Sequence, residues 1–573
     1  MRLFLFLLRA SRWSLVAALA ASLTSGFGSA VMVSLINEAL RVPRDQLGAV
    51  GLRFGGVALI VLVTRWASET LFARLSQRTL ANMRMHLSRL MLEAPYRHIE
   101  VHGSARLLAV LVDDVRTVSD FFVALPNFTM HGAVVIGCLV YLGILSWQVF
   151  VFALVFTTLG AVGYHAAHVR ALGHLRTSRL EQDELFKHFR ALCDGAKELR
   201  MHRPRRHAFL SQVLSRSIEK VRAHHTRGMT IYAASESWGT LMFFVFIGLV
   251  LFVLSRLLEV PTDVMSGYAL IFLYMVLPMD AVLMAIPSIN RTRVALERVE
   301  QGTAGLVNEK PTAVIEDGVD EAVPFASLRL VGVTHAYHRE QEDRAFLLGP
   351  IDLEIRRGEI VFLIGGNGSG KTTLAKLLVG LYAPEAGQLL LNGRAVGDAD
   401  RDRYRQLFSA VFSDFYLFER LLGLEGGAAA GEPGGLDVQA RRWLHELQLD
   451  RKVTVDRGTL STTELSQGQR KRLALLVAYL EDRPFYVFDE WAADQDPTYK
   501  AIFYERLLPD LRARGKTVLV ITHDDRYFDV ADRCLLLDAG QLRAQGTDPT
   551  EASPAEASAS PTEASPAETS AAS

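Results

Sequence analysis

Long apolar runs fill the first half of the chain and short alternating runs fill the second. A helix needs about 20 apolar residues to cross about 30 Å of hydrocarbon. Six runs of that kind occur before residue 290: Trp13 to Ile36, Leu47 to Trp66, Phe128 to Trp147, Val149 to Val169, Trp238 to Leu254 and Val264 to Ile286. Arg2 and the small residues from Ala18 to Ser29 give the first run some look of a cleaved signal segment, but its length and the five spans behind it predict a retained helix. The polar segments between spans two and three, and between four and five, are about 60 and 70 residues long with helical periodicity, so the spans on either side are expected to continue as long helices. Exposed turns are expected at their tips, at Gly103 to Leu108 and Cys193 to Arg200. From residue 325 to 546 short β-rich runs alternate with helical stretches, the pattern of an α/β domain with a largely parallel sheet. Residues 301–324 are polar and read as a linker. Residues 547–573 are Ala, Ser, Pro, Thr and Glu with TEASPAE repeated at Thr550 and Thr562, a composition too polar to order itself. The predicted organisation is therefore a six-span α-helical transmembrane domain over 1–300, the linker, an α/β domain over 325–546, and a disordered tail.

Composition supports a membrane half. The 573 residues are 50% hydrophobic with a mean hydropathy of +0.18, oilier than a soluble enzyme. Lys plus Arg (62) balances Asp plus Glu (62), which speaks against a nucleic-acid binder. That balance hides two unlike halves, because the first 300 residues carry 32 basic and 20 acidic side chains, net +12. The basic residues lie in the long loops: Arg74, Arg78, Arg84, Arg89, Arg97, Arg106 and Arg116 in one, and fourteen Lys and Arg from Arg170 to Arg227 in the other. The third-to-fourth connection around Ser146 is uncharged, and the fifth-to-sixth holds only Arg256, Glu259 and Asp263. Positive loops stay in the cytoplasm, so both long loops, both termini and the α/β domain are expected there. Cys138, Cys193 and Cys534 form no CxxC pair, which leaves neither a disulfide framework nor a zinc site.

The candidate chemistry sits in the α/β region. The buried-strand run Glu359 to Ile364 leads into Gly365, Gly366, Asn367, Gly368, Ser369, Gly370, Lys371, Thr372 and Thr373, then a helix. This is GxxxxGK[ST] in its strand, loop and helix context, a P-loop. Its glycines let backbone N–H groups close on phosphate oxygens, Lys371 is placed to reach the β and γ phosphates, and the Thr372 hydroxyl to hold Mg²⁺. The apolar run Phe485 to Phe488 ends at Asp489 and Glu490, an acid for Mg²⁺ and an acid to polarise the attacking water. Lys516 to Ile521 is a strand ending at Thr522 and His523, from which a side chain reaches toward the γ-phosphate.

Between these motifs stands Leu465, Ser466, Gln467, Gly468, Gln469, and with it the chain resembles the ABC transporters, whose signature LSGGQ it carries with Gln467 in place of a glycine. The resemblance covers about 220 residues in the family's motif order. It implies an ABC ATPase domain binding ATP and Mg²⁺, with Glu490 and His523 catalytic, Tyr337 stacking on adenine, Asp496 as the D-loop acid, and residues 465–469 contacting the ATP of a partner subunit. The Q-loop glutamine is missing: Ser413 and Asp414 stand there, and a shorter hydroxyl reaches less far. One P-loop, one signature and six fused spans make half a transporter of the exporter type, and the resemblance then implies a homodimer with two composite sites. The two loop turns would be its coupling helices.

Phe408 to Phe415, Leu460 to Gln469 and Val487 to Pro497 resemble the bacterial cyclic-peptide exporter subfamily, whose members move non-ribosomal peptides such as siderophore precursors and lipopeptides out across the inner membrane. The expected cargo is a peptide-like compound. Ionisable residues inside spans are costly in lipid and are candidate cargo contacts: Asp280, Glu236 and His131, each with pairing between helices as the alternative. A lipid or lipid-linked precursor flippase is the nearest rival function and an ATP-binding regulator or channel the more distant one, disfavoured by Glu490 and His523. Six spans exclude a soluble ATPase acting on DNA or ribosomes. An attached leader peptidase is not expected, since no domain-length segment stands before the first span.

Overall fold

In lipid an apolar run must satisfy its backbone groups internally, which only helices and closed barrels achieve. A computed structural model of the chain describes residues 12–254, 262–303, 324–337, 346–424 and 435–544. Among them six helices are long and apolar enough to cross a membrane. They lie in α1 (Arg12–Ala39), α2 (Leu47–Glu93), α4 (Val115–Leu145), α5 (Trp147–Asp194), α7 (Ser215–Leu249) and α8 (Thr262–Thr303); α3 (Tyr96–His102) and α6 (Ala196–Met201) are short. The 47 residues of α2 make a rod about 70 Å long, more than twice the hydrocarbon thickness, so the expected extensions exist. One residue separates α4 from α5: Ser146, in extended geometry (φ −164°, ψ 117°).

The chain forms two compact units, one of Met1–Leu92 with His102–Gly305, the other of Glu93–Val101 with Leu306–Ser573. The segment of the first loop that groups with the second unit is thus 93–101, ahead of the turn expected at Gly103 to Leu108. Gly103, at φ +73°, ends α3, and Ser104–Ala109 is a helix on the far side of it that belongs to the first unit. The second expected turn, Cys193 to Arg200, falls on the junction of α5 and α6. The 547–573 tail and nearly all of the 301–324 linker lie outside the described residues.

In the first unit α5 packs along α7, and α4 along both α1 and α8. Lipid offers no hydrophobic drive between helices, so close approach and internal hydrogen bonds hold them. Gly26 on α1 comes so near α4 that a Cβ there would stand 2.4 Å from the Met130 carbonyl oxygen and 2.6 Å from Ala133 Cβ. Buried hydroxyls add bonds across helices: Ser76 with Ser119 at 2.7 Å, and the Tyr268 hydroxyl within 2.6 Å of the Leu142 carbonyl and 2.7 Å of that of Ser146.

In the second unit β1 (Ser327–Tyr337), β2 (Phe346–Arg356), β4 (Ala386–Leu391) and β5 (Arg394–Ala395) form an antiparallel sheet in the order β2-β1-β4-β5. A second sheet joins β3 (Ile360–Ile364), β6 (Phe408–Val411), β7 (Phe485–Asp489), β8 (Thr517–Ile521), β9 (Arg533–Asp538) and β10 (Gln541–Ala544) in the order β10-β9-β3-β8-β7-β6. All its pairings are parallel except β9 with β10. Every residue of β3, β7 and β8 is buried, as near-continuous apolar runs in a covered parallel sheet should be.

The substitution Gly26→Ala is expected to destabilise the first unit by about 1–3 kcal/mol, because it forces a methyl group onto a backbone carbonyl. Gly132→Ala, whose Cβ meets nothing within 4 Å, is expected to be nearly neutral. Thermal unfolding of the two variants in detergent checks the difference.

Candidate functional site

Three adjacent parallel strands, β3, β8 and β7, deliver the P-loop, His523 and the Asp489-Glu490 pair at their carboxyl ends, where open α/β sheets bind ligands. The P-loop depends on backbone that only glycine supplies. At Gly365 (φ +151°) a Cβ would lie 2.2 Å from the Leu537 carbonyl oxygen, and Gly370 (φ +102°) abuts Leu348 and Phe346. Gly370 gives way to α9 (Lys371–Leu378), whose N-terminus therefore faces the loop. The Lys371 ammonium donates to the carbonyls of Gly365 and Gly366, both at 2.9 Å, and burial pushes its pKa down against the pull of Glu490 and Asp489.

Asp489 is almost wholly buried. Its Oδ2 accepts from the Thr372 hydroxyl at 2.9 Å, and the Ser413 hydroxyl stands 3.5 Å from the same atom; its Oδ1 has no partner. Burial raises its carboxyl above the ordinary range, and nearby Glu490 adds to that while the Thr372 hydrogen bond opposes it. An unsatisfied buried carboxylate oxygen beside a hydroxyl is a donor pair suited to a hard, oxygen-seeking cation such as Mg²⁺. Glu490 takes the left-handed conformation (φ +50°, ψ 35°), rare for a side-chain-bearing residue, and its Oε1 lies 3.4 Å from His523 Nε2.

The signature is the N-terminus of α10 (Gln467–Glu481), capped by Ser466, with Gln469 completing a capping box. Leu465 packs partly buried against the core behind it. Gln467, the residue that replaces a glycine, donates from Nε2 to Asp494 Oδ2 at 3.1 Å, and Gln495 Nε2 donates to the Gly468 carbonyl at 2.9 Å. Lys471, buried one turn into α10, bonds the Glu490 carbonyl at 2.8 Å and pairs with Asp494 at 2.7 Å. Sequence reading missed Lys471 and Asp494, which together tie the signature helix to the segment after Glu490; a charged residue on the apolar side of an amphipathic helix was the available signal. Asp496 instead caps the short helix Pro497–Ala501, accepting from the Tyr499 N–H at 3.1 Å. Asp414 is exposed beside Ser413. Tyr337 ends β1 opposite Phe346, and its side chain lies outside the described residues.

Within the same unit, α3 is held by charge. Glu100 accepts from Lys376 on α9 at 2.9 Å and from the Tyr382 hydroxyl, while Arg97 bonds Glu385 at 3.1 Å and the Ala336 carbonyl at 3.1 Å. Burial disfavours the Lys376 ammonium, but Glu100 outweighs it and the pKa is raised. Residue 100 is thus fastened to the helix that starts at the P-loop.

The three cargo candidates separate in the first unit. Glu236 on α7 and Asp280 on α8 line one cavity of about 310 Å³ with Phe156, Tyr164, Phe243 and Phe272. His131 lines a different one, of about 480 Å³, beside Arg65 and Tyr274. Among the described residues no group of three His, Cys, Asp or Glu is placed to hold a metal ion.

Comparison with known proteins agrees with this architecture. A family model for the ABC transporter matches residues 348–493, and one for the ABC transporter transmembrane region matches residues 12–181. The ATP-binding protein SyrD of Pseudomonas syringae pv. syringae is 36% identical over 534 residues, covering 92% of this chain and 93% of that protein. An ATP-dependent lipid A-core flippase of Ralstonia nicotianae is 24% identical over 511 residues, covering 86% and 83%. A bacterial Atm1-family ABC exporter solved with ATP bound shares the fold, with a TM-score of 0.70 at 15% identity over 94% of this chain and 95% of that one.

The Glu100–Lys376 pair yields a double-mutant prediction. Glu100→Gln and Lys376→Gln are each expected to cost about 1–3 kcal/mol in stability, and the double variant less than their sum. Urea unfolding followed by a probe in the second unit checks it.

Proposed function

Because the chain belongs to the ABC transporter family, as an exporter with fused membrane and ATP-binding domains, we propose that it exports a cyclic or non-ribosomal peptide-like compound, a siderophore precursor or a lipopeptide, from the cytoplasm across a bacterial inner membrane. It is a multi-pass membrane protein and an ATPase whose hydrolysis drives transport. The observation that carries the cargo class is the likeness of Phe408 to Phe415, Leu460 to Gln469 and Val487 to Pro497 to the cyclic-peptide exporters, in a chain alike over 92% of its length to SyrD at 36%. The weaker, nearly full-length likeness to lipid A-core flippases favours one second reading, a lipid flippase.

The geometry of the loop and of Asp489, together with the family likeness, supports the following mechanism. The loop from Gly365 to Thr373 wraps the ATP phosphates with backbone N–H groups, and Lys371 exchanges its two carbonyl partners for phosphate oxygens. Tyr337 stacks on the adenine. Thr372 and Asp489 would hold Mg²⁺, which when bound offsets phosphate charge. Glu490 takes the proton of the attacking water, and His523, already beside it, steadies that carboxylate and the γ-phosphate. Residues Leu465 to Gln469 close on the ATP of a second copy, so the working unit is a homodimer with two composite sites, and Asp496 lies near the seam between them. Closure passes to the spans through the coupling segments, and because the Ser413 hydroxyl is too short, Asp414 or a bridging water replaces the missing glutamine in that link. Positive loops set the orientation, with both termini in the cytoplasm.

ATP-driven accumulation in inside-out vesicles tests the reading. Given a small-molecule extract of the producing cell, wild type is expected to accumulate a peptide-like compound by mass spectrometry. Glu490→Gln is expected to lower hydrolysis by about 100-fold or more and to abolish accumulation. Movement of lipid alone between leaflets selects the flippase. Ser413→Gln is expected to change the amount transported per ATP; unchanged hydrolysis and transport would remove the motive for a substitute link through Asp414 or water.

A further inference from the structure

The cavity between α5, α7 and α8 is chemically two-ended. Its fourteen lining residues include two carboxylates, Glu236 and Asp280, and no Lys, Arg or His. Neither carboxylate has an ion pair or a side-chain hydrogen bond among the described residues. Uncompensated acids are expensive at membrane depth unless they face water or a ligand.

Helix geometry fixes their level. Glu236 stands just before the apolar run Trp238 to Leu254 on α7, and Asp280 lies near the end of the described span Val264–Val282 on α8. The two spans follow one another in sequence and so run in opposite directions. A residue at the start of one and a residue at the end of the next lie at the same edge of the hydrocarbon, the edge next to the basic loops. The aromatic lining lies deeper. Phe243 is seven residues beyond Glu236 and Phe272 eight before Asp280, each about two turns, or 10–12 Å, further in on the same helix face. There Phe246 and Phe272 approach to 4.2 Å between ring centroids, with Phe156 5.4 Å from Phe246 and Phe243 6.3 Å from Phe272. Gly160 and Gly239 line the cavity between the two ends.

We propose that this cavity is a cargo site selective for peptides that carry an ammonium group: Glu236 and Asp280 take the cation at the inner mouth, and Phe156, Phe243 and Phe272 take an apolar side chain or acyl group about 10 Å deeper. The proposal rests on the export reading and narrows its cargo to cationic amphipathic peptides. The basic cavity around Arg65 and His131 has the wrong sign for such a group and is excluded from the site. Two carboxylates facing one ammonium give a charge-assisted contact that an amide cannot reproduce, while the aromatic end accepts charged and neutral ligands alike.

The test uses the full-length chain in nanodiscs of zwitterionic phosphatidylcholine, which offer a cationic peptide no anionic lipid. The probes are a radiolabelled cyclic decapeptide with two ornithine side chains and the same peptide acetylated on both amines. Wild type is expected to bind the amine form at least about tenfold more tightly than the acetylated form. The variant Glu236→Gln/Asp280→Asn is expected to bind the two forms equally, with an acetylated-peptide affinity like that of wild type, which also shows that the variant is folded. Equal binding of both forms by wild type overturns the site, as does a preference that survives in the double variant. Binding of neither peptide by a protein that still hydrolyses ATP overturns both the site and the peptide-export reading.

Discussion

Across the central strand β8, Ile521 is level with Leu363 on β3 and with Asp489 on β7. That shared register is the constraint on which the chemistry rests, because the P-loop, His523 and the two acids begin where those strands stop. A one-residue slip of β7 would turn Asp489 away from Thr372 and set Glu490 on the other face. The slip is opposed by close packing, since it would push Tyr486 and Phe488 out of one core and into the other, where Phe485 and Val487 fit. The active-site geometry is therefore an outcome of core packing, and the loops only finish what the strands position.

Much of this could be read in the chain because its chemistry is contiguous. The glycines and Lys371 occupy consecutive positions, the acids close an apolar run, and the six spans declare themselves by length alone. What could not be read depends on long-range encounters. Lys376 meets Glu100 across 276 residues of sequence, and no local pattern pairs them. The same applies to Lys471 and Asp494, and to the separation of His131 from Glu236 and Asp280: all three are ionisable residues at spans, but only packing shows that they face different spaces. Of the loop turn expected at Gly103 to Leu108, only Gly103 breaks the helix, and Ser104–Ala109 is helical again. Arg97 and Glu100, which belong to the second unit, come just before that glycine.

The two units solve the burial of polar groups differently. In the second, buried ammonium groups are matched by carboxylates nearer the surface: Lys376 by Glu100, Lys471 by Asp494. In the first, hydroxyls carry the load, with Ser76 bonded to Ser119 and Tyr268 to main-chain carbonyls, contacts that tolerate low dielectric without a charge to desolvate. Exceptions in the first unit include the buried Asp114, which pairs with Arg298, the acids around one cavity, and Arg65 with His131 around another.

Glu490 holds a left-handed backbone that glycine or asparagine would adopt with less strain. A chain shaped by stability alone would discard the carboxylate at this position. On the role proposed for it, its presence marks a trade of robustness for turnover, and the easiest stabilising change near this sheet would also be one of the most damaging to the motor.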